Sequence, residues 1–199
     1  MSQQEIQNYS ASQKIAKKAI SQISLIIRSG MSENYIAETA KQIMVRLGAT
    51  SFWYHNIPAM VFAGKNTVLF SKEQYLKKKQ AILKENDILW IDLAPALNGF
   101  WGDYTRTLIL HNGKVLPRED YEALINDKKV GAFIQISLDI ERIQKQIISE
   151  LLPDMNFGEI FRVVLSEIER NGYISTDTRN NLGHTLSSFL KDRQFIVKG

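Results

Sequence analysis

Apolar residues recur at the spacing of an α-helix over the first third of the chain. They follow at intervals of four residues, as Ile15, Ala19, Ile23 and Ile27. This spacing predicts a helix with one buried face, and Gly30 can supply its left-handed end. Ser32 is a typical N-cap for a second helix, which we expect to end at Gly48.

Strand-like patterns follow these two helices. Residues 51–62 are rich in aromatic and β-branched side chains, although Pro58 interrupts them. We expect a bend near Gly64 and then a second short strand over residues 68–70. Residues 73–85 are polar and rich in lysine, which favours a loop with some helix.

Two further strands are predicted over residues 87–96 and 99–110. Asn98 and Gly99 lie at the junction of these strands. Both residues tolerate a positive φ, so the pair is a strong signal for a β-hairpin. The sequence therefore predicts two antiparallel strands joined by a two-residue turn.

The last third of the chain returns to helical patterns. Residues 130–152 predict a long amphipathic helix that ends at Pro153. Asn156 and Glu159 have the spacing of a capping box for a further helix, which Gly172 would end. The order of helices, strands, helices and strands indicates an α+β domain.

Two aspartates in the predicted hairpin are the main candidates for chemistry. A turn at residues 98–99 places Asp92 opposite Thr105 and Asp103 opposite Ala94, so the two carboxylates share one face as diagonal neighbours. Such a pair repels itself unless it shares a proton or a cation lies nearby. Oxygen ligands suit Mg, Mn, Fe or Zn. Alternatively, Arg106 or another base neutralises the aspartates, or they cap a turn.

Composition narrows the classes of function. The chain has 25 basic and 21 acidic residues, and this small excess does not indicate nucleic-acid binding. The absence of cysteine excludes disulfides and thiolate metal sites. The sequence shows neither the apolar core of a signal peptide nor an apolar run that could span a membrane, so we expect a cytoplasmic protein without a membrane partner.

The hairpin resembles that of the methionine aminopeptidase, prolidase and creatinase superfamily. In that pattern a strand ends in Asp, and a Gly-Asp pair follows the turn with a nearby Ser or Thr and a basic residue. Here Asp92 and Asp103 are eleven residues apart, and Gly102 precedes the second. The resemblance continues at 54–58, where the residues are Tyr-His-Asn-Ile-Pro, and at Gly183-His184.

This resemblance implies a pita-bread fold, with a curved antiparallel sheet and flanking helices in a single domain over residues 1–199. It implies Asp92, Asp103 and His184 as metal ligands, followed by two glutamates. The expected cofactor is a divalent metal, Mn, Zn, Co or Fe, with two ions when both glutamates are present. A metal-activated water would then attack an amide bond of a peptide or small amide, as in an aminopeptidase or Xaa-Pro peptidase.

Four other residues are candidates through their position. His55 is either a structural residue of its aromatic strand or, as its family position implies, a catalytic residue that lines the cleft. Trp101 would either wall the substrate pocket or belong to the core. Ser71 and Lys191 stand where the family has two histidines near the substrate, so we expect them at the substrate site.

The sequence departs from the family pattern after His184, because no glutamate follows it. We favour a chain that is incomplete at its C-terminus and lacks the strands that carry the glutamates. The alternative is a complete but diverged relative that binds a peptide or protein without cutting it. A homodimer is also an open expectation.

Overall fold

The computed structural model describes residues 2–176, 181–185 and 194–197. The chain divides into two compact units, Met1–Ile134 and Gln135–Gly199, and each is described by itself. The expectation of a single domain over the whole chain stays a prediction.

Helices flank two antiparallel sheets in the first unit. The helices are α1 (Gln3–Ser24), α2 (Glu33–Arg46), α3 (Lys72–Lys77) and α4 (Tyr121–Leu124), with 3₁₀ helices at Gly64–Val68 and Arg118–Asp120. The strands are β1 (Ser51–Phe52), β2 (Ala59–Ala63), β3 (Asp87–Leu93), β4 (Pro95–Leu97), β5 (Phe100–Trp101), β6 (Tyr104–His111) and β7 (Lys114–Val115). One sheet has the order β2-β3-β6-β7 and the other the order β1-β4-β5.

The core of this unit lies between α1, α2 and one face of the four-stranded sheet. Alternate residues of β3 are fully buried there, and they are Leu89, Ile91 and Leu93. The apolar stripes of both helices join the same cluster. The side chain of Ser32 caps α2 by accepting a hydrogen bond from the amide of Tyr35, as predicted. The apolar faces of the two helices and of the sheet therefore pack together in one layer.

The first helix ends earlier than its apolar pattern predicts. α1 stops at Ser24, and the amides of Ile26 and Ile27 both donate to the carbonyl of Ile23. The chain then turns toward an isolated bridge between Arg28 and Lys114. Ile27 is still fully buried, so the apolar spacing continues although the helix does not.

The predicted strand over residues 68–70 is wrong. The chain forms the 3₁₀ helix Gly64–Val68 instead, and the amide of Leu69 donates to the carbonyl of Asn66. The Asn66 side chain donates to Glu33 and to the carbonyl of Lys79. These bonds hold the segment as a turn, and a strand would break them.

The hairpin turn is confirmed at Asn98 and Gly99, whose φ angles are 52° and 84°. However, each of the two predicted strands divides into two shorter ones. The division falls at Ala94, whose N–H donates to the carbonyl of Pro58 and whose carbonyl accepts from the amide of Trp53. Because these partners belong to another part of the chain, the hairpin leaves the four-stranded sheet here and continues in the three-stranded one.

The second unit contains most of α5 (Gly131–Glu150) and all of α6 (Phe157–Arg170). Asn156 and Glu159 form the predicted capping box, and Gly172 has the expected positive φ of 78°. Within the described part of the chain, no helix combines the length and the apolar character that crossing a bilayer requires.

A carboxylate on α5 anchors the segment that follows α6. Asp139 accepts hydrogen bonds from Arg142, Tyr173 and Gln135, at 2.8, 2.7 and 3.2 Å. These bonds, that of Arg142 first, lower the pKa of Asp139 to about 2. The Tyr173 hydroxyl donates to this anion, which raises the pKa of the tyrosine.

Asp139→Asn is therefore expected to destabilise the protein near neutral pH and progressively less in acid. The folded pKa lies below the ordinary value of 3.8, so the contribution is present above pH 4 and is lost as the pH falls toward 2. Urea unfolding of the wild type and variant at pH 6, 4 and 3 measures this difference. The exposed Asp154 provides the control substitution Asp154→Asn. A penalty for Asp139→Asn that is the same at pH 6 and pH 3 contradicts the prediction.

Candidate metal centre on the aspartate hairpin

Asp92 lies in β3, an inner strand of the four-stranded sheet. It pairs with Met60 of β2 on one side and with Thr105 of β6 on the other. Its neighbours Ile91 and Leu93 are fully buried on the face that meets the helices. Since strand side chains alternate, Asp92 projects from the opposite face, where it is partly exposed.

The carboxylate of Asp92 is oriented by its partner across the strands. The hydroxyl of Thr105 donates to Oδ1 of Asp92 at 2.7 Å. The predicted register, with Asp92 opposite Thr105, is confirmed. Asp103 lies two residues before Thr105, in the break between β5 and β6, so its position as a diagonal neighbour of Asp92 stays a prediction.

Asp103 lies in the short break between β5 and β6, where side chains hold its backbone. The amide of Asp103 donates to Oε1 of Gln13 at 2.9 Å, and Nε2 of Gln13 donates to the carbonyl of Asp103 at 2.8 Å. The preceding carbonyl, of Gly102, accepts from the indole N–H of Trp53 at 2.7 Å. This aspartate is therefore fixed from two sides by residues far away in the sequence.

α1 approaches the hairpin closely enough that residue 102 must be glycine. A Cβ atom at Gly102 would lie 2.7 Å from the carbonyl oxygen of Ser12, closer than real Cβ contacts. The Ser12 hydroxyl donates to the carbonyl of Phe100 at 2.6 Å. Sequence reasoning missed Ser12 and Gln13. The sequence signal for Ser12 was its place in the apolar stripe of α1, where a polar residue needs a buried hydrogen-bond partner. The structure shows that Ser12 is indeed fully buried.

His55 lies in a tight turn next to this region. His55 and Asn56 have φ angles of 53° and 59°, an unusual pair of positive values for residues other than glycine. His55 is exposed, and its ring meets Tyr54 edge to face at 4.9 Å. Strained backbone of this kind clusters at functional sites. The catalytic role of His55 stays a prediction.

Trp101 belongs to a small aromatic core. Its side chain is 3% exposed and lies against Trp53, with ring centroids 4.2 Å apart. Tyr9 of α1 meets the same indole edge to face at 6.5 Å. The sequence left open whether Trp101 walls a substrate pocket or belongs to the core, and the structure places its side chain in the core of the first unit. A role in the wall of a substrate pocket stays a prediction.

Ser71 and Lys191 are the residues that stand where the family has histidines near the substrate, and the structure describes only the first of them. Ser71 is the N-cap of α3, where its hydroxyl accepts from the amide of Gln74 at 3.1 Å. The carbonyl oxygen of the Gln74 side chain accepts in turn from the amide of Ser71. Contact of Ser71 with a substrate stays a prediction. Lys191 lies outside the described residues.

His184 lies in the second unit. It forms an isolated bridge with Phe195, and the two rings meet edge to face at 5.9 Å. Nδ1 of His184 is 3.0 Å from the carbonyl of Thr185. If Nδ1 carries the proton, Nε2 carries the lone pair, which is the arrangement of many metal-bound histidines. Its assignment as a ligand stays a prediction.

The donor set on the hairpin suits a divalent ion in part. Carboxylate oxygens are ligands that such ions prefer. Among residues 2–176, 181–185 and 194–197, no group of three or more His, Asp or Glu side chains forms a cluster able to hold a metal ion. The assignment of Asp92 and Asp103 as metal ligands stays a prediction. Arg106 stacks over the ring of Tyr104 at 3.8 Å and donates to the carbonyl of Thr105.

Comparison with protein families gives one match over nearly the whole chain. The model of metallopeptidase family M24 matches residues 7–198. A search of curated proteins finds no significant match.

Solved structures share the fold at low sequence identity. X-Pro aminopeptidase from Thermotoga maritima MSB8 is 17% identical with a TM-score of 0.75, and the match covers 99% of this chain and 49% of the aminopeptidase chain. Prolidase from Pyrococcus furiosus is 21% identical with a TM-score of 0.72, and the match covers 99% of this chain and 51% of the prolidase chain. Xaa-Pro dipeptidase from Bacillus anthracis is 19% identical with a TM-score of 0.63, and the match covers 86% of this chain and 42% of the dipeptidase chain. The predicted pita-bread fold is confirmed, and the chain spans about half the length of these structures.

Proposed function

Because the chain belongs to metallopeptidase family M24, we propose that it is part of a metal-dependent peptidase in which Asp92 and Asp103 hold a divalent ion. One observation carries this proposal. Asp92 lies opposite Thr105, in the register predicted from the turn at Asn98 and Gly99, and two hydrogen bonds with Gln13 hold the backbone of Asp103. A fold maintained for packing alone does not require a carboxylate at either position.

The chain's own residues would divide the work at this centre. The two aspartates hold the ion, and the hydroxyl of Thr105 keeps the Asp92 carboxylate in one orientation. His184 is the proposed third ligand, and His55 the proposed residue beside the substrate. When bound, a divalent ion lowers the pKa of its water ligand and polarises a carbonyl group.

The proposed substrate is a short peptide, cleaved at its amino end or before proline. The structures of similar fold are named as an X-Pro aminopeptidase, a prolidase and an Xaa-Pro dipeptidase. We apply this substrate class to the chain as part of the proposal, since the fold alone does not specify a function.

A hydrolysis assay tests the proposal. The full chain is incubated with Ala-Pro, Ala-Pro-Ala and Met-Ala-Ser in the presence of Mn²⁺, Co²⁺ or Zn²⁺, and the released amino acid is quantified. We expect hydrolysis of at least one peptide, its loss with a chelator, and its loss in Asp103→Ala. Asp120→Ala, which changes an exposed aspartate outside the hairpin, should retain it. Hydrolysis that survives both the chelator and Asp103→Ala would falsify the proposal.

The second candidate function is a binding module that recognises peptides without cutting them. It is favoured by Ser71, which occupies a family histidine position and serves as a helix cap. This candidate predicts that the same peptides bind with no hydrolysis and without added metal. Calorimetric titration of the three peptides into chelator-treated protein distinguishes it from the peptidase.

A further inference from the structure

The backbone of Asp103 lies at a gap in the hairpin ladder. The paired residues step from Leu93–Tyr104 in one sheet to Ala96–Trp101 in the other. Ala94, which faces Asp103 in the predicted register, uses its N–H and carbonyl for Pro58 and Trp53. Asp103 therefore sits where two sheets separate, a place at which a backbone would otherwise be poorly fixed.

The side chain of Gln13 fills this gap. Its carbonyl oxygen accepts from the Asp103 amide at 2.9 Å, and its NH₂ group donates to the Asp103 carbonyl at 2.8 Å. A residue of a neighbouring antiparallel strand makes the same pair of bonds. One planar amide thus constrains the peptide groups on both sides of the aspartate, as a strand partner would.

Gln13 can do this because α1 is itself held against the hairpin. Ser12, its neighbour, is fully buried and bonded to the carbonyl of Phe100. The helix backbone lies so close to Gly102 that a methyl group there would collide with it. Gln13 is partly buried, which limits competition from water for its two bonds.

From this geometry we propose that Gln13 is a positioning residue that sets the direction of the Asp103 carboxylate. The inference rests on the proposed function, in which that carboxylate binds a divalent ion. Only two side-chain torsions separate the carboxylate from the backbone, so fixing the backbone of residue 103 limits the ligand oxygens to the few positions that the staggered rotamers allow. Loss of a partner that orients a metal ligand typically reduces metal affinity by about 10- to 100-fold.

The test compares the same substitution at two positions of α1. Gln13→Met keeps the length of the side chain and removes both bonds to Asp103. Gln7→Met makes the same substitution at an exposed position of α1 and leaves both bonds to Asp103 intact, so it is the matched control. Gln13→Ala also removes both bonds without adding a charge, and it is the second variant if Gln13→Met does not fold. Mn²⁺ affinity is measured by calorimetry, and the exchange rate of the Asp103 amide by NMR in metal-free protein.

We expect Gln13→Met to weaken Mn²⁺ binding by about tenfold or more and to speed exchange of the Asp103 amide by a similar factor. Gln7→Met should change both quantities by less than about threefold. Equal effects of the two substitutions on Mn²⁺ affinity overturn the proposal, as does an unchanged Asp103 amide in Gln13→Met. If the wild type binds no Mn²⁺, the proposed function fails, and the positioning role in a metal site fails with it. Amide exchange then reports whether Gln13 still holds the Asp103 backbone.

Discussion

Replacing Glu33 with alanine is expected to lower the free energy of unfolding by about 3–5 kcal/mol, because it leaves a buried cation without its partner. The carboxylate of Glu33 is completely buried and pairs with Lys78, whose side chain is 1% exposed. It also accepts from the amides of Ala63 and Ala81 and from the side chain of Asn66. One carboxylate therefore joins the start of α2, the end of β2 and the loop before β3.

Urea unfolding followed by tryptophan fluorescence measures this effect. Glu33→Gln is the milder variant if the alanine variant does not fold, and combining it with Lys78→Met should recover part of the loss, because no buried charge then remains unpaired. Glu38→Gln removes an exposed pair with Lys41 and is the control, with an expected cost below about 1 kcal/mol. Similar costs for Glu33→Gln and Glu38→Gln would show that the buried network is not a major source of stability.

Asp92→Asn is expected to abolish stabilisation by metal while leaving the metal-free protein about as stable as before. The substitution replaces a charged oxygen ligand with a neutral amide, and it preserves an oxygen that can accept the hydrogen bond from Thr105. In contrast, a metal ion at a free concentration of about 100 times its dissociation constant should raise the free energy of unfolding of the wild type by about 2.7 kcal/mol. Asp103→Asn is expected to behave in the same way.

Thermal unfolding with and without Mn²⁺ measures both parts of this prediction. Asp120→Asn, on the 3₁₀ helix Arg118–Asp120, should keep the full response to metal. If Asp92→Asn strongly destabilises the metal-free protein, the carboxylate has a structural role. If the variant responds to Mn²⁺ like the wild type, the metal binds elsewhere.

The hairpin was predictable because its signals are local. Asn98 and Gly99 define a two-residue turn, and counting outward from that turn gives every observed pair, including Asp92 with Thr105. The helix caps at Ser32 and Asn156 were predictable for the same reason, since each depends on residues within one turn. The aspartates could thus be placed on the hairpin before the structure was known.

What the sequence could not supply are contacts between distant segments. Gln13 and Asp103 are 90 residues apart, and no periodic pattern connects them. The break of the hairpin at Ala94 depends likewise on Pro58 and Trp53. The same explanation applies to Glu33, because an acidic residue in the first turn of a helix is ordinary and does not indicate burial.

The most direct test of the central claim is equilibrium dialysis of the full chain against Mn²⁺, with bound metal measured by mass spectrometry. The account predicts bound Mn²⁺ at micromolar concentrations in the wild type and in Asp120→Asn, and none in the double variant Asp92→Asn/Asp103→Asn. Equal retention of Mn²⁺ by the double variant, or none in the wild type, contradicts the claim that these two aspartates form a metal centre.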